Sequence, residues 1–260
     1  MKICIDAGHC KLTPGKRAFD GSFFEWEFNY DVSNRIVKHL DRHKIVSYVQ
    51  YVENSNPKAE LNTRIKNINI AKPDLIVSIH ANAFGTSWNS ANGWEIFCSE
   101  PSNKNSKGTK LAELIQKHSK ALGLANRGIK NAHGVAGIVV STKSPAVLIE
   151  HGFYTNQTEL AKLKSNSFRE QCAIADAKGI LEYLGIEWKE QEEEEMIYAT
   201  FKDLPKWYQE GVGYYIKNGD LNDGTPLDGQ IDPNYKINLA ESTARALQIG
   251  YNKDKRLNRL

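Results

Sequence analysis

Three apolar runs, each closing on an ionisable residue, constrain this chain more than any other feature. Lys2–Ile5 runs into Asp6 and His9, Leu75–Ile79 into His80, and Ala146–Ile149 into Glu150 and His151. Short runs this rich in aliphatic and β-branched residues read as strands buried on both faces. IVSYVQYV and GWEIFCS read as two more strands. Between the runs lie stretches with helical spacing. Glu25–Leu40 carries Phe28, Val32, Ile36 and Leu40 on one face, and Leu61–Ile70, Lys110–Leu122 and Phe168–Leu184 also fit helices. The alternation predicts an α/β domain: a mainly parallel twisted sheet flanked by helices.

Ligands of open α/β sheets gather beyond the carboxyl ends of the strands. His9, His80 and Glu150 are therefore expected near one point, with Glu25 opening the first helix at the same edge. Two histidines and a carboxylate suit zinc, which needs three protein ligands and an open fourth position for catalysis. A second carboxylate there could move protons. Each residue also has an ordinary reading. A histidine on an apolar run is commonly a satisfied core residue, and a glutamate at a helix start stabilises the helix dipole. A glutamate ending a buried strand is harder to explain this way, because an unpaired buried carboxylate is costly. Periodicity alone does not rank His151, Asp6 or His133 against this set.

The composition changes after residue 186. Six glutamates fall between Glu187 and Glu195, a charge run that reads as a solvated linker over 187–196. Beyond it, residues 197–260 are expected to form a small helical domain. Its helices are placed at Trp207–Lys217 and at Leu239–Gly250, the latter capped by Asn238, with turn-rich sequence between them. The net charge of +3 and the absence of a dense basic, aromatic-rich patch argue against nucleic acid. No apolar run is long enough to cross a membrane. The first residues lack the zones of a signal peptide, so synthesis in the cytoplasm is expected. Cys4, Cys10, Cys98 and Cys172 form no CxxC pair and are expected as reduced, buried thiols.

The segments IDAGHCKLTPG, FEWEFNYDVSNRIVKHL, LNTRIKNINIAKPDLIVSIHAN, NRGIK and PAVLIEHGFYTN occur in that order over residues 1 to about 185. Together they resemble the N-acetylmuramoyl-L-alanine amidase type 3 family. The resemblance implies that His9, Glu25 and His80 bind Zn2+ and that Glu150 is the catalytic proton carrier, with His151 on a variable position. It implies hydrolysis of the amide between N-acetylmuramic acid and L-alanine in peptidoglycan. It also places Asn82 and Arg127 near the cleft as substrate-binding candidates; fixing loops by hydrogen bonds is their alternative role. The chain departs from the family between Lys130 and Pro145, where NAHGVAGIVVSTKS replaces a Leu-rich strand, so contacts from this stretch do not transfer.

The tail is similar to a single S-layer-homology motif, through Asp203, Trp207, Pro233 and Glu241. That resemblance implies binding to secondary cell-wall polymers. A domain of this size has a marginal core, so self-association is expected. Met196 follows Glu192–Glu195, whose codons form a purine tract, and an internal start there would yield a separate tail fragment. The whole reads as a phage endolysin that acts on the wall after release from the host cytoplasm. The alternatives are a bacterial autolysin, a zinc endopeptidase or deacetylase on the same polymer, and a wall-binding protein whose amidase domain is inactive.

Overall fold

A computed structural model describes residues 1–190, 197–200, 203–217, 236–240, 244, 247–248 and 251–252. The chain divides into two units, Met1–Lys189 and Glu190–Leu260.

The first unit is built on a six-stranded sheet. Its strands are β1 (Lys2–Ala7), β2 (Val46–Gln50), β3 (Leu75–Asn82), β4 (Trp94–Cys98), β5 (Asn126–Asn131) and β6 (Ala146–Phe153), in the order β2-β1-β3-β6-β4-β5. β2, β1, β3 and β6 are parallel, and β4 lies antiparallel to β6 and parallel to β5. The sheet is thus mixed, with the expected parallel core.

Alternate residues of each strand face opposite sides, and the two sides are covered unequally. On one side Ile3, Ile5, Val77, Ile79, Ile96, Val147 and Ile149 join the main core. Against them pack α1 (Glu25–Arg42), α3 (Lys107–Ser119) and α6 (Asn166–Tyr183), through residues such as Phe28, Ile115 and Cys172. On the other side Cys4, Ile76, Phe97 and Leu148 meet only α2 (Pro57–Ala71) and the short α4 (Gly137–Ser141), through Ile68, Ile138 and Val139. A two-helix cover leaves part of that face open, and the cavity described below lies there. A further helix, α5 (Gln157–Lys164), follows β6.

Local chemistry sets the helix starts. Asn56 accepts hydrogen bonds from the Lys58 and Ala59 amides at the start of α2, where Pro57 takes the first position. Asn156 does the same for α5. All four cysteines are free and buried. Trp188, assigned from sequence to the acidic linker, belongs to the first unit, with its ring 5.4 Å from that of His39 and 5.2 Å from that of His43.

In the second unit α7 (Lys206–Lys217) forms where helical spacing predicts it. The expected helix over Leu239–Gly250 is corrected at its start only, since Ala244, Leu247 and Gln248 are helical. Lys236–Ala240 is a strand, β8, antiparallel to β7 (Ile197–Thr200), with Tyr198 opposite Leu239. Asn238 therefore lies within a strand. Ile237 and Leu239 fit either period locally, and the choice rests on a partner strand about 40 residues away. Among its described residues this unit is mixed rather than purely helical. Pro233, Glu241, Met196 and Glu192–Glu195 lie outside the described residues. Among the described residues no helix is long and apolar enough to cross a membrane.

Candidate metal and catalytic site

The site starts from strand register. β3 and β6 are adjacent and parallel, and His80 stands directly opposite Glu150. Paired residues point to the same face, so the imidazole and the carboxylate both enter the open side of the sheet. Immediately afterwards the register shifts, between His80 and Asn82. That irregularity ends regular pairing where the chain turns outward.

His9 arrives from β1 by a different device. Its φ of 59° is left-handed, a region few non-glycine residues adopt outside turns and functional sites. This turns its ring back over the strand ends, 4.9 Å from that of His80. Glu25 is the first residue of α1 and is 1% exposed. The preceding loop is folded against it: the Glu25 amide donates to the Lys16 carbonyl, and Arg17 bridges to Phe24. Asn29, one turn into α1, donates to the Gly8 carbonyl at 2.8 Å and ties the helix to the turn that carries His9.

One candidate ligand atom from each of His9, Glu25 and His80 lies within 4.8 Å of the others. Glu25 Oε1 is 3.5 Å from His9 Nε2 and 3.0 Å from His80 Nδ1. Ligands ~2.0–2.1 Å from a tetrahedral zinc stand about 3.3 Å apart, so the observed separations bracket that edge. Glu25 Oε2, 3.7 Å from Lys16 Nζ, and Glu150 Oε2 are buried and accept no hydrogen bond, so both keep lone pairs available to a cation or water. The donor set and its spacing fit a zinc ion.

The protonation states agree. Burial pushes the His9 imidazole down to about 3, with Glu25 opposing and His80 and Lys16 adding to the shift. Burial pushes His80 down to about 3 as well, helped by the Arg64 guanidinium. Both are therefore neutral at neutral pH, the form that binds metal. Glu150 moves the other way. Burial and the nearby Glu25 and Glu95 carboxylates raise it well above the usual range, against the pull of Lys16. This is the direction required of a carboxyl that must both take and give a proton.

A cavity of about 360 Å³ opens beside these groups. His9, His80, Glu150 and Lys16 are among its polar lining, and Phe97, Leu148, Val135 and Ile138 supply apolar wall. The glycine-rich stretch after Lys130 thus forms one wall of the cavity, through α4 and the turn before it. Arg64 and Glu60 of α2 line it too, as part of a buried network. Arg64 Nη1 donates to Asp6 Oδ2 at 2.6 Å, Arg64 Nε stands 2.6 Å from Glu60 Oε1, and Ser78 Oγ donates to Asp6 Oδ2 at 2.6 Å.

The residues that periodicity could not rank now separate. Asp6 belongs to the Arg64 network and not to the histidine cluster. His151 is fully buried in the core, with Nε2 2.9 Å from Asp176 Oδ2 and Nδ1 3.3 Å from the His80 carbonyl. His133 is exposed on the turn after β5. Asn82 and Arg127 converge on a residue that sequence reasoning passed over, Glu95. Asn82 Nδ2 donates to Glu95 Oε1 at 2.8 Å, Arg127 Nε to Glu95 Oε2 at 2.7 Å, and Lys130 Nζ also to Oε2. Burial alone would raise the Glu95 carboxyl, but hydrogen bonds from Lys130 and Arg127 hold it below the usual range. Glu95 stands opposite Glu150 in the β4–β6 register. A single charge inside the apolar run GWEIFCS was the available signal. Lys16, in an irregular loop, gave none.

Comparison with known proteins bears on this geometry. A family model described as N-acetylmuramoyl-L-alanine amidase matches residues 3–182. The N-acetylmuramoyl-L-alanine amidase LytC of Bacillus subtilis (strain 168) is 31% identical over 182 residues, covering 70% of this chain and 35% of LytC. The endolysin of Bacillus phage SPP1 is 32% identical over 191 residues, covering 72% of this chain and 67% of the endolysin. This chain therefore spans about a third of the length of one relative and two thirds of the other. Among solved structures, the catalytic domain of CwlV, an N-acetylmuramoyl-L-alanine amidase from Bacillus (Paenibacillus) polymyxa var. colistinus, superposes with a TM-score of 0.61. It shares 31% identity, covering 72% of this chain and 99% of that one. The catalytic domain of the CD27L endolysin superposes with a TM-score of 0.59 at 25% identity, covering 70% and 97%.

Proposed function

The chain belongs to the N-acetylmuramoyl-L-alanine amidase family, and from that premise we propose that its first unit is a zinc-dependent hydrolase of peptidoglycan. The bond cut is the amide joining N-acetylmuramic acid to the L-alanine of the stem peptide. The observation that carries this reading is the convergence of His9, Glu25 and His80 on one point, with Glu150 in register beside His80.

His9, His80 and Glu25 would hold the ion. A zinc ion there would supply Lewis-acid polarisation of the amide carbonyl and acidification of water. Glu150 takes the proton of the attacking water on its carboxylate and delivers it to the alanine nitrogen as the C–N bond breaks. Its raised pKa suits both halves of that transfer. Asn82 and Arg127 serve at the rim, holding Glu95 beside the reacting carboxyl and offering contacts to substrate.

The whole chain is proposed to be a phage endolysin that acts on the host wall after release, a reading supported by its similarity to the SPP1 endolysin over two thirds of that protein. Similarity to LytC and to the germination-specific N-acetylmuramoyl-L-alanine amidase of Bacillus subtilis keeps a bacterial autolysin as the second reading. Residues 197–260 are proposed to bind wall polymer and to self-associate, with a fragment started at Met196 adding further tails and longer residence.

Digestion of purified walls, with mass analysis of the new termini, tests the activity. The expected products carry free L-alanine amines and intact glycan; a chelator abolishes their formation and added zinc restores it. New reducing ends, or amines inside the stem, would overturn the assignment.

A further inference from the structure

The sheet face that carries Glu150 continues across β4 and β5. Glu95 on β4 is opposite Glu150. Phe97, two residues on and therefore on the same face, lines the cavity. On β5, Lys130 is paired with Phe97 in parallel register and so shares that face. Its ammonium folds back to Glu95, where the Arg127 guanidinium also arrives. The basic residues thus form a shelf whose backbone lies two strands from Glu150, about 10 Å at the usual strand spacing, while their charges are drawn back to Glu95 on the adjacent strand.

The charges at this shelf do not cancel. Glu95 is a single, nearly buried carboxylate, and Asn82 already donates to one of its oxygens. One cation would neutralise it, and two are present. Among the described residues Glu95 is the one acidic side chain within ion-pair distance of either Arg127 or Lys130. Both cations remain more than a third exposed, at 37% and 38%. Arg127 is further fixed by donating to the Asn92 carbonyl and by lying over the Phe153 ring, 4.9 Å from its centroid. Glu95 therefore acts as a buried anchor that holds two cationic side chains next to Glu150 in the sheet, with one positive charge to spare.

We propose that this shelf is a carboxylate-binding subsite for the stem peptide, formed by Lys130 and Arg127 on the Glu95 anchor. The proposal rests on the amidase reading above. Its ligand is the α-carboxylate of the second stem residue, a glutamate joined to the next residue through its side chain. From the scissile nitrogen, two extended residues span roughly 7 Å, more than the single strand spacing of about 4.8 Å that separates Glu150 from the Glu95 position where both cations are held. A charge-assisted hydrogen bond discriminates strongly between a carboxylate and a neutral amide. Lys130 is thereby a specificity-determining residue, and Glu95 a positioning residue that acts through it.

The test uses the full zinc-loaded chain and soluble muropeptides that differ only in a free or amidated α-carboxyl on the second residue. The wild type is expected to favour the free carboxylate about tenfold or more in kcat/KM. Lys130→Gln should lose most of that preference by losing rate on the free-acid substrate, with less than threefold change on the amide. Lys130→Arg should restore it. Glu95→Gln should reduce the preference by raising KM for the free-acid substrate; an unchanged ratio of the two KM values would overturn its positioning role. Equal hydrolysis of both substrates by the wild type, or equal losses on both in Lys130→Gln, overturns the subsite. A preference that follows a carboxylate on the third stem residue overturns its assignment to the second. Cleavage of neither substrate by the wild type overturns the amidase reading, and the subsite with it. Calorimetric binding of the free-acid and amidated stem peptides gives the same comparison without turnover, and equal affinities would count against the proposal.

Discussion

The His80 imidazole occupies the space that a side chain on Gly8 would need. An ideal Cβ on Gly8 would come within 2.2 Å of both Cε1 and Nε2 of His80. The glycine before His9 thus does more than shape a turn: it lets the β3 histidine lie flat against the end of β1, where its Nδ1 meets Glu25 at 3.0 Å.

Gly8→Ala is therefore expected to displace His80 and weaken metal binding while the sheet still forms. Perturbing the support of a ligand typically costs about 10–100-fold in metal affinity. Competition against a chromophoric chelator measures this directly. Unchanged zinc affinity would show that the His80 ring has another place to go.

Glu150→Gln keeps the volume and burial of the side chain but removes proton transfer. Zinc content is expected to stay at the wild-type level, while hydrolysis falls by about 10²–10⁴-fold. Metal analysis and product quantification on the same preparation separate the two roles. Loss of zinc would make Glu150 a ligand, and activity within threefold of wild type would remove it from the reaction.

Arg64→Met is expected to destabilise the first unit by about 3–5 kcal/mol, because it leaves the Asp6 and Glu60 carboxylates buried without their shared cation. Denaturant unfolding followed by intrinsic fluorescence measures the loss. Adding Asp6→Asn to that variant should recover part of it by removing one of the stranded charges. A single variant as stable as the wild type would show that the cavity hydrates these carboxylates without help.

The buried histidines make the metal-free unit sensitive to acid. His9 and His80 are lowered to about 3 in the folded chain, against ~6.5 when unfolded. Their contribution to stability is complete above pH ~6.5 and is lost as pH falls toward 3, because over that interval the unfolded chain takes up protons that the folded chain does not. Glu150, raised by burial, works oppositely and offsets part of the loss between its ordinary value and its folded one. Chelator-treated protein is expected to lose on the order of 2 kcal/mol of unfolding free energy between pH 7 and 5. Glu150→Gln should lose more over the same interval. Equal stability of that variant at the two pH values would contradict the buried, neutral state of the histidines.

Much of this was legible in the chain itself. The runs ending in His80 and Glu150 are almost wholly aliphatic and too short for anything but buried strands, so their class and the position of the titratable ends followed from local pattern. The same held for α1, whose apolar residues recur every turn. What the sequence could not decide was which strand lies beside which. The β3–β6 pairing brings together His80 and Glu150, 70 residues apart, and the antiparallel insertion of β4 puts Glu95 next to Glu150. Those neighbours are chosen by the packing of the whole sheet, not by any local preference. The same reason separates His151 from His80. Both end apolar strands, but the single-residue alternation of β6 sends Glu150 into the cavity and His151 into the core against Asp176. In the second unit Leu239 and Asn238 satisfy a helix start as well as a strand, and pairing with Tyr198 across a long stretch of chain decides for the strand. Local chemistry thus set what each segment could be, and contacts distant in sequence set which residues meet, because the free energy that selects register is gained only when remote strands and helices close on a shared core.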